Sequence, residues 1–184
     1  PRAIFSMAAN YATANRGACH LEALSYWTIF GLDATSWAPQ PYERFSQAGA
    51  GRHAAAFQNY FSLFNPLGIC KFIAKASISP ETIAALVNAA LGWALTGEGL
   101  LLTGERLFNL KRIINNRLGV TRTDDTLPSR LTEVPRPSGQ AAGKLPDLVR
   151  ILDEYYQVRG WRPDGQPSEE RLEKLGLTAT GVPR

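Results

Sequence analysis

The sequence predicts an all-α fold, in which about six or seven helices pack irregularly through ridges and grooves instead of forming one simple bundle. Apolar residues recur at helical spacing along most of the chain. Capping residues precede several of these segments and glycines follow them, whereas alternating strand patterns are nearly absent. The 184 residues are enough for one domain with a sizeable core.

The first strong helical signal lies in residues 42–64 and ends in a run of aromatic residues. Phe57, Tyr60, Phe61 and Phe64 are three or four positions apart, which places them on one face of a helix. The segment therefore predicts an amphipathic helix that ends near Phe64.

The next helix has a clear start. Ser79 is a good N-cap, Pro80 suits the first helical position, and Glu81 suits the positive end of the helix dipole. Its predicted apolar stripe consists of Ile83, Leu86, Val87, Ala90 and Leu91.

Thr96 is predicted to cap the longest helix, which Gly119 ends. We expect this helix to be interrupted or bent near Gly104, because glycine weakens a helix interior. Its predicted apolar stripe consists of Leu100, Leu107, Leu110, Ile114 and Leu118.

Residues 121–143 are rich in Pro, Gly and polar side chains, which indicates a long ordered loop or a mobile arm. Within it, Asp124 and Asp125 are interpreted as turn-capping residues rather than as a catalytic pair.

A further helix is predicted from the apolar positions Leu145, Leu148, Val149, Leu152, Tyr155 and Tyr156. Ser168 is expected to cap a short last helix that Gly176 ends.

Composition and charge exclude several classes of function. The net charge is +4, but Lys and Arg are mixed with Asp and Glu along the chain, so we expect no nucleic-acid partner. No apolar stretch approaches the ~20 residues that cross a membrane, so we expect no membrane association. Two cysteines make no disulfide framework and no signal peptide is visible, which favours a cytoplasmic location.

Few residues in this chain can carry chemistry. The candidates are Cys19, His20, His53 and Cys70, and no metal-binding, nucleotide-binding or phosphate-binding motif accompanies them. A complete metal site would need all four side chains to converge, which we do not expect.

Cys70 has two interpretations. Its apolar neighbours favour a buried thiol that acts as a small hydrophobic side chain. Alternatively, Asn65, Pro66 and Gly68 place a polar side chain, a turn and a residue without Cβ just before the thiol, which would suit the edge of a cofactor next to a metal cluster.

His20 also has two interpretations. It can be a structural histidine at the start of a helix, or it can donate and accept protons near neutral pH. Arg16 and Gly17 indicate a turn just before it. Cys19 is interpreted as a packing residue, and His53 as structural or exposed.

Several segments together resemble one family. In order, they are "YATANRGACHL", "NPLGICKF", "TGERLFNLKRIINNRLG", "DDTLPSRL" and "EYYQVRGWRPDGQPSEERLEKLGL". This combination resembles the C-terminal part of the tungsten-containing aldehyde:ferredoxin oxidoreductases, over essentially the whole chain. The sequence also begins with Pro-Arg-Ala rather than Met, so we expect residues 1–184 to be the C-terminal helical domain of a larger enzyme.

The resemblance implies a fold and an activity for the whole protein. Family members bind tungsten or molybdenum through two pterin dithiolenes, beside one 4Fe–4S cluster. They oxidise aldehydes to carboxylic acids and pass the electrons to ferredoxin. An N-terminal β domain and a first helical domain would complete the site, so residues 1–184 by themselves are expected to be inactive. The whole protein can also assemble as a homo-oligomer.

The resemblance also implies roles for particular residues. Cys70 matches the fourth cluster ligand, and the stretch Asn65-Pro-Leu-Gly68-Ile69-Cys70 resembles the pterin-binding motif Asp-x-x-Gly-Leu-Cys. Asn65 departs from the family's Asp, and an amide accepts hydrogen bonds more weakly than a carboxylate. His20 lies in the segment that supplies an active-site histidine, so it is the candidate proton donor.

Two other functions stay open at this stage. Asn65 leaves room for a relative that uses the same cofactors to reduce aromatic acyl-thioesters. The chain could also be a helical interaction module that keeps the scaffold without the chemistry.

Overall fold

The computed structural model describes residues 1–39 and 42–178, and within them the regular secondary structure consists of helices. The α-helices are α1 Ser6–Thr13, α2 Ala50–Ser62, α3 Pro80–Leu91, α4 Gly97–Arg117, α5 Ser129–Thr132, α6 Leu148–Arg159 and α7 Glu169–Lys174. Short 3₁₀ helices are His20–Glu22, Ser25–Phe30, Lys71–Ala76 and Arg122–Asp124. These residues contain isolated β-bridges but no strand, so the all-α prediction is confirmed.

Helix α2 is the centre of the fold. It packs against α1, α4 and α6, and its aromatic face is buried as predicted. Two glycines allow the closest crossings. A Cβ on Gly104 of α4 would lie 2.0 Å from the Asn59 carbonyl oxygen, and one on Gly51 of α2 would lie 2.5 Å from the Tyr155 backbone nitrogen. Helix α4 continues through Gly104 without the interruption that we expected.

Side-chain caps begin α3, α4 and α7 at the predicted residues. Ser79 Oγ accepts from the Thr82 amide, and Pro80 follows as the first helical residue. Thr96 and Ser168 accept in the same way from amides three residues later. These predictions are confirmed because a cap depends on neighbouring residues alone.

The predicted apolar stripes of α3 and α4 are wrong in part. Ile83 and Val87 are buried, but Leu86 and Leu91 are 60% and 55% exposed. Helix α4 is rotated relative to its prediction: Gly104, Phe108 and Arg112 are among its buried residues, whereas Ile114 and Leu118 are exposed. The side chains on the buried face of α4 include polar ones whose partners lie elsewhere in the chain.

One such partner orders the polar segment 121–143. Thr121 and Asp124 form a capping box at Arg122–Asp124, as the turn prediction required of Asp124. Asp125 does not cap a turn. Its carboxylate is buried and accepts from Arg112 Nη1 and Nη2 at 2.7 and 2.9 Å, and Tyr156 also donates to it.

No helix in the described ranges combines the length and the apolarity that crossing a bilayer requires.

Candidate functional site

The stretch 65–70 forms a tight turn directly after α2. The Gly68 amide donates to the Asn65 carbonyl at 3.1 Å, and the Ile69 amide donates to the Phe64 carbonyl at 3.0 Å. Gly68 adopts φ +67°, a conformation that favours glycine. No atom lies within 4 Å of the position that its Cβ would take, so the turn presents an open backbone surface.

The two ends of this turn are anchored differently. The Phe64 ring is buried in the core, and Ile69 packs its partly buried side chain against the same core cluster. Asn65 is exposed, and its side chain makes no hydrogen bond within the described part of the chain. The amide of Asn65 is therefore free to contact a group outside these residues.

Cys70 follows the turn and precedes the 3₁₀ helix Lys71–Ala76. Its thiol is free and the residue is exposed, so the interpretation as a buried core thiol is wrong. Phe72 and Ile73, the next apolar residues, are also exposed. An exposed thiol with apolar neighbours is chemically able to bind a soft metal.

His20 is an exposed residue that begins the 3₁₀ helix His20–Glu22. Its ring lies 6.5 Å from that of Tyr26. Cys19, directly before it, is half-buried, and its Sγ accepts from Arg16 Nη2 at 3.1 Å. The imidazole of His20 is therefore accessible to a proton donor or acceptor in solution.

Lys71 ties the two segments together. Its Nζ donates to the Leu21 carbonyl oxygen at 2.7 Å, next to His20 in sequence. Burial lowers the pKa of Lys71, and the nearby carboxylate of Glu22 opposes that shift. Glu22 is itself buried, with Arg16 Nε 3.1 Å from its Oε1. The structure thus brings the segments that contain His20 and Cys70 side by side.

Sequence reasoning missed Lys71 and an aromatic surface on the same side of the fold. Lys75 Nζ lies 5.2 Å from the ring centroid of Trp27 and 5.7 Å from that of Phe72. The "CKFIAK" sequence contains the signal, but its apolar residues also fit a buried segment.

His53 is not part of this site. It is buried in α2, where its ring stacks on Tyr42 and packs against Phe57, so its structural interpretation is confirmed.

The donors in this region fit one ligand of a cluster and no complete metal site. Within residues 1–39 and 42–178, no group of three or more His, Cys, Asp or Glu side chains could hold a metal ion. One accessible thiol beside an open turn is what a cluster needs from one of its ligands. The remaining ligands would have to come from outside the described residues.

Comparison with known families decides where this chain belongs. The family model described as "Aldehyde ferredoxin oxidoreductase, domains 2 & 3" matches residues 1–177. The chain belongs to the aldehyde ferredoxin oxidoreductase family.

Several curated relatives are similar to this aldehyde ferredoxin oxidoreductase family member. The tungsten-containing aldehyde ferredoxin oxidoreductase of Pyrococcus furiosus is 34% identical over 178 residues, which cover 96% of this chain and 29% of that protein. The corresponding Thermococcus kodakarensis protein is 32% identical over the same shares. The aliphatic sulfonate oxidoreductase, WOR-like subunit, of Pyrococcus furiosus is 33% identical over 159 residues, 82% of this chain and 23% of that protein.

The chain thus spans less than a third of the length of these relatives. A solved structure, the active site complex BamBC of benzoyl coenzyme A reductase in complex with 1,5-dienoyl-CoA, is also similar. It matches with a TM-score of 0.59 and 22% identity, over 79% of this chain and 22% of that one. That likeness shows a shared fold alone.

Proposed function

We propose that this chain is the C-terminal helical domain of a tungstopterin or molybdopterin iron–sulfur oxidoreductase that oxidises aldehydes to carboxylic acids. Membership of the family supports the class of reaction. The observation that carries the proposal is the exposed Cys70 thiol, which follows an open glycine turn and lies beside the His20 segment.

In this proposal, Cys70 is one thiolate ligand of a 4Fe–4S cluster, and the rest of the protein supplies the others. The open surface of Gly68 lets the backbone approach a pterin closely, because no Cβ intervenes. Asn65 offers its amide as both donor and acceptor to the polar edge of that pterin. Ile69 holds the turn in register through its packing against the core.

The metal–pterin centre and the cluster, when bound, would supply two-electron oxidation and the path of the electrons to ferredoxin. His20 would take up, at a ring nitrogen, the proton that water releases as it adds to the aldehyde. His20 is exposed at the start of a 3₁₀ helix, which supports this role.

The other domains of the protein are proposed to cover the exposed apolar side chains around this site. Phe30, Phe72 and Ile73 would leave water on such contact, which the hydrophobic effect favours. The two free cysteines support a reducing, cytoplasmic location for the assembled protein.

Asn65 is the reason to keep aromatic acyl-thioester reduction as a second candidate. An amide in place of the family's carboxylate loses charge-assisted hydrogen bonds to the cofactor. The Asn65→Asp variant tests this point. If the protein is an aldehyde oxidoreductase, the variant should retain at least as much pterin per chain and oxidise aldehydes. Acyl-thioester reduction by the wild-type protein, without aldehyde oxidation, would favour the second candidate.

Metal and cluster content of the protein produced from its complete reading frame tests the proposal directly. Elemental analysis and electron paramagnetic resonance of the reduced protein are compared for wild type, Cys70→Ala and Cys19→Ala. Cys19 is the matched control, because it is the other cysteine and its thiol contacts Arg16.

We expect tungsten or molybdenum with about four irons per chain in wild type and in Cys19→Ala. The cluster signal should be lost or altered in Cys70→Ala alone. A metal-free wild-type protein after anaerobic preparation would contradict the proposal and favour an interaction module. An unchanged cluster in Cys70→Ala would remove Cys70 from the ligand set.

A further inference from the structure

Two arginines are buried among the described residues, and only one of these two has a counter-ion there. Arg112 and Arg159 are 2% and 1% exposed. Asp125 neutralises Arg112 through two hydrogen bonds. No carboxylate of the described residues lies within ion-pairing distance of Arg159, and positions 40, 41 and 179–184 contain no Asp or Glu.

Neutral groups surround the Arg159 guanidinium. Its acceptors are the Tyr155 hydroxyl at 3.0 Å, Asn59 Oδ1 at 2.5 Å, Gln58 Oε1 at 2.8 Å and the Ala55 carbonyl at 3.2 Å. The Phe108 ring lies 4.2 Å from its central carbon. These four bonds leave one of the five N–H groups, on Nη1, without a protein acceptor in the described structure. A buried charge without a counter-charge is strongly unfavourable, so an anion beside Arg159 would stabilise it.

Arg159 borders a cleft of about 440 Å³ between the loop 35–39 and helices α2, α4, α6 and α7. Arg52 and Arg171 also line this cleft, and Glu105 is its one acidic side chain among the described residues. Arg171 Nη1 already donates to Glu105 at 2.7 Å. The cleft therefore holds three cations against one carboxylate that is already paired.

Further donors in the cleft suit an oxyanion. Arg52 is exposed, and its side chain has no hydrogen-bond or ion-pair partner within the described part of the chain. Asn59 directs Oδ1 to Arg159, which leaves its Nδ2 free to donate. Ser36 adds a hydroxyl. Such convergent donors are typical of phosphate recognition.

We propose that this cleft binds a small oxyanion of the phosphate class, which supplies a counter-charge to the Arg159 guanidinium. The anion would accept from Arg159 Nη1, from the Arg52 guanidinium and from Asn59 Nδ2. Neither His20 nor any residue of the stretch 65–70 lines the cleft. The site is therefore independent of the proposed cofactor site.

Calorimetric titration with inorganic phosphate tests the site in the protein produced from its complete reading frame. The buffer is matched in ionic strength with chloride, and acetate serves as a carboxylate probe. Arg52→Glu reverses a charge at the rim of the cleft without removing a structural contact. Arg150→Glu makes the same change at an exposed position of α6 outside the cleft.

We expect saturable binding of one phosphate per chain, weakened at least about tenfold in Arg52→Glu and within about twofold of wild type in Arg150→Glu. Phosphate should also raise Tm in wild type and Arg150→Glu but not in Arg52→Glu. Acetate in place of phosphate as the tighter ligand would overturn the phosphate class. No saturable binding, or equal weakening in both variants, would overturn the site and assign the counter-charge of Arg159 to another part of the protein.

Discussion

Lys71 Nζ donates a 2.7 Å hydrogen bond to the carbonyl oxygen of Leu21, and so joins the residue after Cys70 to the residue after His20. Leu21 and Lys71 are 50 positions apart in the sequence. A local sequence pattern cannot encode such a contact. This bond therefore helps to fix the distance between the proposed proton carrier and the proposed cluster ligand.

Lys71→Met should therefore separate catalysis from cofactor content. Loss of the bond to Leu21 lets the His20 segment move, and a displacement of about 1 Å can cost up to ~100-fold in rate. We expect kcat for aldehyde oxidation to fall at least about tenfold while metal and iron per chain stay unchanged. Lys75→Met on the same 3₁₀ helix is the control, because Lys75 lies over the faces of Trp27 and Phe72 and donates no hydrogen bond to the Leu21 carbonyl. Equal losses of rate in both variants would contradict a positioning role for Lys71.

The Arg112–Asp125 pair is predicted to dominate the stability of the segment 121–143. Removing one partner of a buried ion pair typically costs about 3–5 kcal/mol, because the other charge stays buried alone. Asp125→Ala should lower the free energy of unfolding by that order in urea denaturation. Asp153→Ala is the matched control. Its carboxylate is 65% exposed and pairs with Arg122 at the surface, where such pairs contribute about 1 kcal/mol or less. Similar losses for both variants would mean that Asp125 contributes little beyond an ordinary surface charge.

The caps of this fold could be predicted from the sequence, whereas the buried faces of its helices could not. Ser79, Thr96 and Ser168 bond to amides three residues away, so the necessary information is local. Arg112 is buried instead because its guanidinium donates to Asp125 and to the Tyr156 hydroxyl. These partners lie 13 and 44 positions away in sequence, so the pattern of α4 alone does not reveal them. The apolar pattern alone instead predicts that Ile114 and Leu118 face the core, although both are exposed.

The resemblance to the family, rather than composition, indicates the candidate site. The apolar neighbours of Cys70 favoured a buried thiol, yet Phe72 and Ile73 are exposed together with it. Apolar residues that face another domain have the same pattern as core residues, so a single chain does not distinguish them. The signal for Lys71 in "CKFIAK" is weak, since a lysine among apolar residues is normally an exposed charge.

Gly104→Ala should show that this glycine permits a close crossing of helices. The added Cβ would lie 2.0 Å from the Asn59 carbonyl oxygen, a backbone atom that cannot move without shifting α2. We expect a loss of about 2–3 kcal/mol in unfolding free energy, although alanine favours a helix by about 1 kcal/mol over glycine. Gly99→Ala in the same helix is the control, because among the described residues its Cβ would meet only the Thr96 hydroxyl, at 3.3 Å. A neutral Gly104→Ala variant would show that α2 and α4 can separate at little cost.

His53 predicts an acid-sensitive stability. The residue is 1% exposed, and its Nδ1 has no hydrogen-bond partner among the described residues, so burial lowers the pKa of the imidazole from 6.5 to about 4. Between pH 6.5 and about 4, His53 is protonated in the unfolded chain but stays neutral in the folded chain. The contribution of His53 to the free energy of unfolding should therefore be fully present above pH 6.5. It should decrease by about 3 kcal/mol as the pH drops to about 4.

Urea unfolding at several pH values measures this slope. His53→Phe should flatten the slope between pH 6.5 and about 4, because the phenyl ring keeps the stacking on Tyr42 and carries no proton site. His20→Phe is the matched control. It replaces the other, exposed histidine and should leave the slope in place, since His53 is retained. A slope that survives in His53→Phe would show that His53 is not the source of the acid sensitivity.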